Sequence, residues 1–229
     1  MIGDLHHKWS VILDFIKKFE ITQTCFFQVG DFGVGFANDE EKCLEILNDF
    51  LKQTNNFLYV IRGNHDKPSF FNGSYATKYS NICLLPDYSI ITVEIDEQPI
   101  TILGIGGAIS TDKYNRELNV DYWEDEYLHV DINHLSLLDN NINVVVTHTA
   151  PDFVDPFVTN IPADKIGEIE MQRIKEEREN LSMIFEKVIK NNPSLKFAFY
   201  GHFHFSSQTE YKNVQFNLLG INEFKEVRL

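Results

Sequence analysis

Short apolar runs recur along this 229-residue chain and alternate, in its first half, with stretches of helical periodicity. The runs are rich in aromatic or β-branched side chains, which is typical of buried strands. Turn-forming residues at 96–99 separate two of the runs, and this spacing favours a hairpin. We predict strands at 25–29, 57–61, 90–95, 100–105, 143–146 and 197–200, with two or three more between 209 and 224.

Three stretches carry apolar residues at the spacing of one helix face. The first predicted helix buries Trp9, Ile12, Phe15, Ile16 and Phe19. Asn38 is expected to cap a second helix, whose inner face carries Cys43, Ile46, Leu47 and Phe50. Asp164 is expected to open a long third helix, ended by Pro193, that buries Ile166, Ile169, Ile174, Leu181, Ile184, Phe185 and Val188. Helices that alternate with strands, followed by further strands, predict a layered α/β sandwich.

Composition narrows the classes of function. Hydrophobic residues make up 43% of the chain, which argues against disorder and, with the length, predicts one domain over residues 1–229. The net charge of −14 makes nucleic acid an unlikely partner, because nonspecific binding to it depends on Lys and Arg. The three cysteines have no CxxC spacing and indicate reduced thiols. Without an apolar run long enough for a membrane or a signal peptide, we expect a cytoplasmic protein.

Polar residues that bind metals follow the apolar runs, at the point where each predicted strand ends. In layered α/β folds the loops after the strands converge on one edge, which is where ligands bind. Five such motifs occur in this order: Asp4-Leu5-His6, Gly30-Asp31, Gly63-Asn64-His65-Asp66, the lone His148, and Gly201-His202-Phe203-His204.

The residue types in these motifs suit a metal site. Imidazole and carboxylate groups are common ligands of Mn, Fe, Zn and Co, and Asn64 offers an amide oxygen. In a pair such as His202 and His204, an extended strand end would point both side chains the same way. A single histidine is more often a packed core residue than a ligand, but five motifs that each follow an apolar run favour a shared site.

With these motifs, nearly the whole chain resembles the calcineurin-like metallophosphoesterase family. The resemblance implies a four-layer αββα sandwich of two mixed sheets, with two divalent metal ions at one edge. One metal would be held by Asp4, His6, Asp31 and His204, and the other by Asp31, Asn64, His148 and His202. Asp31 would bridge the two ions. Mn or Fe are the expected metals, with Zn, Ni, Co and Mg as alternatives.

The resemblance also implies a reaction, in which a metal-bound hydroxide attacks the phosphorus of a phosphomonoester, a phosphodiester or a nucleotide. His65 would be the catalytic residue that protonates or stabilises the leaving oxygen. Asn64, Arg62 and Arg116 are the predicted contacts of the substrate phosphate, although Arg62 could equally form a surface salt bridge. The alternatives are a nuclease, for which the sequence shows no basic track, and a catalytically weak metal-binding scaffold for a partner protein.

Three positions depart from the family pattern. His7 replaces a frequent Gly, and we expect its side chain to be exposed and without a role. Val34 stands where an Asp or His commonly orients the catalytic histidine, so Asp66 or a backbone carbonyl is expected to orient His65. Only three residues precede Asp4, so we expect either an unusually short first strand or a true start of the chain further upstream.

Two segments are predicted to line a substrate cleft. The polar and aromatic stretch 111–128 would place Arg116 or Lys113 near phosphate, and Tyr122 or Trp123 could stack on a base. Packing of Trp123 in the core is the alternative. The segment 151–162, marked by prolines, is the predicted opposite wall.

Overall fold

The computed structural model describes residues 1–36, 39–75, 78–135, 141–154 and 167–228. The predicted cap Asn38, the helix start at Asp164 with Ile166, and the wall from 155 to 162 therefore lie outside the described residues. The helices are α1 (Ser10–Phe19), α2 (Glu40–Gln53), α3 (Ile132–Leu135) and α4 (Glu168–Asn191), with short 3-10 helices at Pro68–Phe71 and Lys113–Asn115. The strands are β1 (Cys25–Gln28), β2 (Phe57–Val60), β3 (Ile82–Leu84), β4 (Ser89–Ile95), β5 (Gln98–Ile105), β6 (Val144–Thr147), β7 (Phe197–Tyr200), β8 (Ser207–Tyr211) and β9 (Val214–Leu218).

The smaller sheet has the order β1-β2-β3, and its three strands are parallel. Ile2 extends this sheet as an isolated bridge, parallel to Gln28 and antiparallel to Phe224. The backbone N–H of Ile2 donates to the Phe27 carbonyl at 2.8 Å, and the Val29 N–H donates to the Ile2 carbonyl at 3.0 Å. The first strand is thus reduced to one bridged residue, Ile2. Its two backbone hydrogen bonds hold the chain in place close to Asp4.

The larger sheet has the order β4-β5-β6-β7-β9-β8 and is mixed. Its four central strands are parallel, while the pairs β4–β5 and β8–β9 are antiparallel hairpins. The predicted hairpin is confirmed, and Asp96 and Glu97 form its turn with φ of 50° and 62°. Two successive residues of positive φ are the mark of the two-residue turn that matches the twist of the paired strands.

Three hydrophobic clusters separate four layers and confirm the αββα sandwich. In β6 the side chains alternate: Val144 and Val146 lie between the two sheets, together with Phe27 of β1, while Val145 faces α4. The other face of the smaller sheet packs against α1 and α2 through a third cluster. The layer order is thus α1 and α2, smaller sheet, larger sheet, α4.

The predicted helix faces are correct only in part. Ile12 and Ile16 of α1 are buried, but Phe19 is 56% exposed. In α2 the buried residues are Leu44, Leu47 and Leu51, whereas Ile46 is 53% exposed. Of the predicted inner face of α2, Leu47 is buried and Cys43 and Phe50 are partly buried against the core, so the prediction is wrong only for Ile46. The α4 prediction holds for Leu181, Ile184, Phe185 and Val188 and is wrong for Ile169, which is exposed.

Candidate metal centre

The five motifs converge at the ends of strands from both sheets. Asp31 follows β1, and its Oδ1 lies 3.1 Å from Nε2 of His148, which follows β6. Asp4 follows the Ile2 bridge, and its Oδ2 lies 3.4 Å from Nε2 of His204, which follows β7. The structure therefore brings residues that are almost 200 positions apart in the sequence into one site.

The first ligand group consists of Asp4, His6, Asp31 and His204, which offer ligand atoms within 4.8 Å of one another. Nε2 of His6 lies 3.1 Å from Nε2 of His204 and 3.8 Å from Oδ2 of Asp31. Oδ1 of Asp4 and Oδ2 of Asp31 are buried and accept no hydrogen bond from the described residues. Buried carboxylate oxygens without a donor are costly unless a cation pairs with them, so this group fits a divalent metal.

The second ligand group consists of Asp31, Asn64, His148 and His202. Nδ1 of His148 donates to the Val29 carbonyl at 2.8 Å, which leaves Nε2 of the neutral ring as an acceptor. This Nε2 faces Oδ1 of Asp31 at 3.1 Å and Oδ1 of Asn64 at 3.0 Å. Three acceptors that face one another need a positive charge between them. The ring of His202 completes the group, 5.1 Å from the His148 ring between centroids.

Glycines at the strand ends make room for the ligands. A Cβ added at Gly201 would lie 2.0 Å from Oδ1 of Asp4. A Cβ at Gly30, where φ is 97°, would lie 2.4 Å from Nδ1 of His148. The small residues that precede these ligands therefore allow a close backbone approach to the site.

The backbone at the ligands is left-handed rather than extended. The φ angles are 44° at His6, 56° at Asp31, 69° at His202 and 62° at His204. The expectation that an extended strand end orients His202 and His204 is therefore wrong, because tight turns orient them. Non-glycine residues in this region are uncommon and concentrate at functional sites.

The pKa values reflect a site with excess negative charge. Burial and the nearby Asp31 raise the pKa of Asp4 well above its usual range. Burial alone would raise the pKa of Asp31 as well, but His148 and other histidines hold it well below its usual range. Burial lowers the pKa of His148, yet the carboxylates of Asp31 and Asp4 outweigh this and raise it to about 9. In the metal-free protein, a proton on His148 thus supplies the positive charge that the site requires. Burial and the charge of His148 lower the pKa of His202 far below its usual value, so its ring is neutral.

His65 lies beside the first ligand group and is partly exposed. Its backbone N–H donates to Oδ1 of Asp31 at 2.7 Å, and its ring packs edge-on against His6 at 4.9 Å. Nδ1 of His65 is in contact with Nη2 of Arg116, while Nε2 lies 3.9 Å from Oδ2 of Asp112. Burial lowers the pKa of His65 to about 4, helped by the charges of Arg116 and His6 and opposed by Asp31 and Asp112. The ring is therefore neutral at neutral pH.

Asp66 does not orient His65, and that prediction is wrong. Its carboxylate accepts backbone N–H groups from Phe32, Gly33, Val34 and Gly63, at 2.7 to 3.1 Å. Asp66 therefore joins the loop after β1 to the loop after β2, and the contact of His65 Nδ1 is Arg116 instead. The side chain of Val34 is buried in the core with α1 and α2.

Arg62 and His7 also have other surroundings than predicted. The Arg62 guanidinium is buried, pairs with Asp87 at 2.8 Å and donates to the carbonyls of 125, 126 and 127. These contacts use its donors inside the protein, so its geometry does not support a phosphate contact. His7 is half-buried, with Nδ1 donating to the Gly33 carbonyl at 3.1 Å, so it is not an exposed and idle residue.

The segment 111–128 lies next to the site, as its contact with His65 shows, but the predicted aromatic stacking does not hold for Trp123. That side chain is buried and packs edge-on against Phe36 at 5.0 Å, which confirms the alternative of core packing. Lys113 pairs with Glu170 of α4 and lies over the ring of Tyr122, so its charge is used within the protein.

Two functional candidates were not predicted from the sequence. Both are buried: Ser110 contacts Asn64 and Arg116, and Glu126 contacts Ser110, as described below. Nothing in the sequence distinguishes Glu126 from the other acidic residues of its run, because its role depends on contacts with residues far away in the chain.

Comparisons with known proteins agree with the fold. A sequence model of calcineurin-like phosphoesterases matches residues 1–206, and no curated protein gives a significant match. A putative 5'-nucleotidase from Staphylococcus aureus, solved in complex with alpha-ketoglutarate, is similar over 93% of this chain, with 13% identity and a TM-score of 0.51. This chain covers only 43% of that protein, so the likeness concerns the fold alone. A dimetal phosphatase from Danio rerio is similar over 94% of this chain and 78% of its own, with 13% identity and a TM-score of 0.49.

Among the described helices, none has the length and apolar character needed to cross a bilayer.

Proposed function

Because this chain belongs to the calcineurin-like phosphoesterase family, we propose that it uses two divalent cations to hydrolyse small phosphomonoesters, phosphodiesters or nucleotides. Family membership makes it a metal-dependent phosphoric ester hydrolase. One observation carries the proposal of a metal site. Oδ1 of Asp4 and Oδ2 of Asp31 are buried among histidines and receive no hydrogen bond from the described residues. Such oxygens are costly to bury as anions unless a cation pairs with them, so they favour a metal at this position.

Asp31 is the proposed bridge between the two metals. Its two carboxylate oxygens face different groups, because Oδ2 lies 3.8 Å from Nε2 of His6 and Oδ1 lies 3.1 Å from Nε2 of His148. One carboxylate is therefore shared by the first and second ligand groups. The mixture of imidazole, carboxylate and one amide suits Mn or Fe, with Zn, Ni, Co and Mg as the alternatives.

The proposed roles of the other residues follow from their positions. When bound, paired cations lower the pKa of a shared water and neutralise the charge of the phosphate. His65 is the proposed catalytic residue, since its partly exposed ring packs against His6 of the first ligand group at 4.9 Å. The N–H at Nε2 of His65 would donate a hydrogen bond to the leaving oxygen and stabilise its charge as the ester bond breaks. Asn64 would orient the phosphate from the opposite side of the site.

A small substrate is favoured over a polymer by charge. The chain has a net charge of −14, which disfavours a nucleic acid on electrostatic grounds. We also propose that residues 1–229 form one domain, since both sheets contribute to the cluster between them. A reducing compartment such as the cytoplasm is proposed from Cys25, Cys43 and Cys83, all of which are free thiols.

The test combines metal content with turnover. We would load the protein with Mn, count bound metal by mass spectrometry, and assay p-nitrophenyl phosphate and its bis-ester. We expect two metals per chain; Asp31→Asn should lose both of them. His65→Ala should keep both metals and lose turnover by about 10²- to 10⁴-fold. His134→Ala, an exposed histidine outside the site, is the matched control and should change neither quantity.

Two outcomes would contradict the proposal. Fewer than one metal per chain under saturating Mn would remove its basis. Two bound metals without turnover of either ester, or of nucleotides, cyclic nucleotides, phosphopeptides and oligonucleotides, would favour a metal-binding scaffold instead. The same substrate panel would distinguish monoesterase from diesterase activity and would reveal a nuclease.

A further inference from the structure

The segment between β5 and α3 is held rigidly beside the metal centre. Glu177 of α4 accepts the backbone N–H of Ile109 at 3.1 Å and that of Leu128 at 2.8 Å, so one buried carboxylate fastens both ends. The Arg62 guanidinium holds the same stretch through the Glu126 carbonyl at 2.7 Å. Side chains of this segment therefore have fixed positions relative to the site.

Ser110 connects this segment to Asn64. Its hydroxyl oxygen lies 3.0 Å from Nδ2 of Asn64, 2.8 Å from Nη1 of Arg116 and 2.8 Å from Oε2 of Glu126. A serine hydroxyl donates one hydrogen bond and accepts two, and arginine can only donate. The hydroxyl therefore donates to Glu126 and accepts from the other two. Asn64 must present its NH₂ group to Ser110 and its carbonyl oxygen to the second ligand group.

Arg116 connects the same residues to His65. Only 6% of its side chain is exposed, and its guanidinium lies between Glu126 and Asp112, at 3.9 and 3.8 Å. Nη1 donates to Ser110, and Nη2 contacts Nδ1 of His65. Because an arginine is donor-only, Nδ1 of His65 must accept. The neutral ring then carries its proton on Nε2, which lies 3.9 Å from Oδ2 of Asp112.

We propose that Ser110, Arg116 and Glu126 form a positioning network that fixes the amide orientation of Asn64 and the tautomer of His65. This inference rests on the proposed function, in which Asn64 is a ligand and His65 donates a hydrogen bond to the leaving oxygen. Val34 cannot serve as an acidic partner of His65. In this network the partner is instead a cation, Arg116, which comes from a distant loop. It also changes the predicted role of Arg116, from a direct contact of phosphate to a residue that acts through His65.

The tautomer is tested directly by NMR. We would label histidine with ¹⁵N and assign the ring signals of His65 as those that are missing from the spectrum of His65→Ala. Spectra would be recorded without metal and with the diamagnetic ion Zn. In the wild type we expect a protonated Nε2 and an unprotonated Nδ1. Arg116→Ala should produce a mixture of both tautomers, because Nδ1 loses its donor. Arg116→Lys, which can still offer an N–H group, should restore at least part of the Nε2–H form.

Kinetics separate positioning from substrate binding. Arg116→Ala should lower kcat by about 10- to 100-fold, leave KM within about threefold, and keep full metal content. The loss should be larger for alkyl phosphates than for p-nitrophenyl phosphate, because a poor leaving group depends more on the hydrogen bond that stabilises its developing charge. Ser110→Ala should weaken metal binding by about 10- to 100-fold, since Asn64 loses its orienting partner. Arg228→Ala, an exposed arginine far along the chain that pairs with Glu226, is the matched control.

The experiments distinguish a failure of the positioning network from a failure of the proposed function. An Nε2–H tautomer that persists in Arg116→Ala, or a wild-type ring protonated on Nδ1, would overturn the inference. A rise of tenfold or more in KM with unchanged kcat would overturn it in favour of direct phosphate binding. A tautomer change in a protein that hydrolyses none of the esters would uphold the network and refute the proposed function.

Discussion

Glu126→Gln tests whether the buried carboxylate of the positioning network titrates as the structure requires. The Glu126 side chain is 2% exposed and accepts the N–H of Ser110 at 2.6 Å and its hydroxyl at 2.8 Å. Burial raises its pKa from 4.5 to about 7, although the hydrogen bonds from Ser110 and the charge of Arg116 act in the opposite direction. Gln has nearly the same shape and cannot ionise, so it removes the titration with little change in packing.

The sign and the magnitude follow from the two pKa values. Between pH 4.5 and 7 the folded protein keeps a proton on Glu126 that the unfolded chain has lost. The free energy of unfolding therefore falls as pH rises through this window, and the loss is complete above pH 7. The difference between the two values corresponds to roughly 3 kcal/mol. The stability of Glu126→Gln relative to the wild type should improve by about 3 kcal/mol between pH 4.5 and pH 8.

Urea unfolding of the metal-free protein at several pH values measures this difference. Glu179→Gln, at an exposed position of α4, controls for the removal of one carboxylate from a chain of net charge −14. The difference in free energy of unfolding between Glu126→Gln and the wild type should change with pH much more than the same difference for Glu179→Gln. If the two variants change in parallel from pH 4.5 to 8, burial does not raise the pKa of Glu126, and the reasoning from desolvation is refuted.

Two further changes test the site and the fold. Gly201→Ala would place a methyl group 2.0 Å from Oδ1 of Asp4, so we expect metal affinity to fall at least about tenfold by calorimetric titration. Gly167→Ala, where an added Cβ meets no atom within 4 Å, should leave the affinity unchanged, and equal affinities in both variants would contradict the predicted clash. Leu47→Ala should lower the free energy of unfolding by about 2–5 kcal/mol in urea, because Leu47 is buried in the core under α2. Ile46→Ala, at an exposed position of α2, should cost less than about 1 kcal/mol, and a larger loss would mean that α2 is rotated.

The sequence predicts the elements that depend on local patterns. The run of valines in β6 is short, apolar and β-branched, so its strand is evident, and His148 directly after it marks the strand end. The edge of the sandwich where the motifs meet follows from the same reasoning, because parallel strands end on a common side. β3 was missed because three residues, Ile82–Leu84, carry too little periodicity to distinguish a strand from a turn.

Predictions fail where tertiary contacts decide. In α2 the predicted inner face of Cys43, Ile46, Leu47 and Phe50 is right except for Ile46, and only the position of the smaller sheet places Leu44 and Leu51 in the core instead of Ile46. Asp66 is next to His65 in the sequence, yet its carboxylate binds backbone groups of the loop after β1. The partner of His65 comes from Arg116, fifty-one positions away. Neither contact has a local sequence signal.

The choice of an amide at position 64 explains why the positioning network is needed. Asp4, Asp31 and Asp66 already concentrate negative charge at the site, and the carboxylate of Asp31 is among the causes that raise the pKa values of the other two. An amide oxygen at Asn64 adds a metal ligand without adding another buried charge. The amide also carries an NH₂ group, which would be costly to bury without an acceptor. Ser110 supplies that acceptor, and it can do so only while its own hydrogen is directed to Glu126. The neutral ligand and the buried acid therefore depend on each other, which is why a carboxylate outside the metal centre is kept buried at a cost to stability.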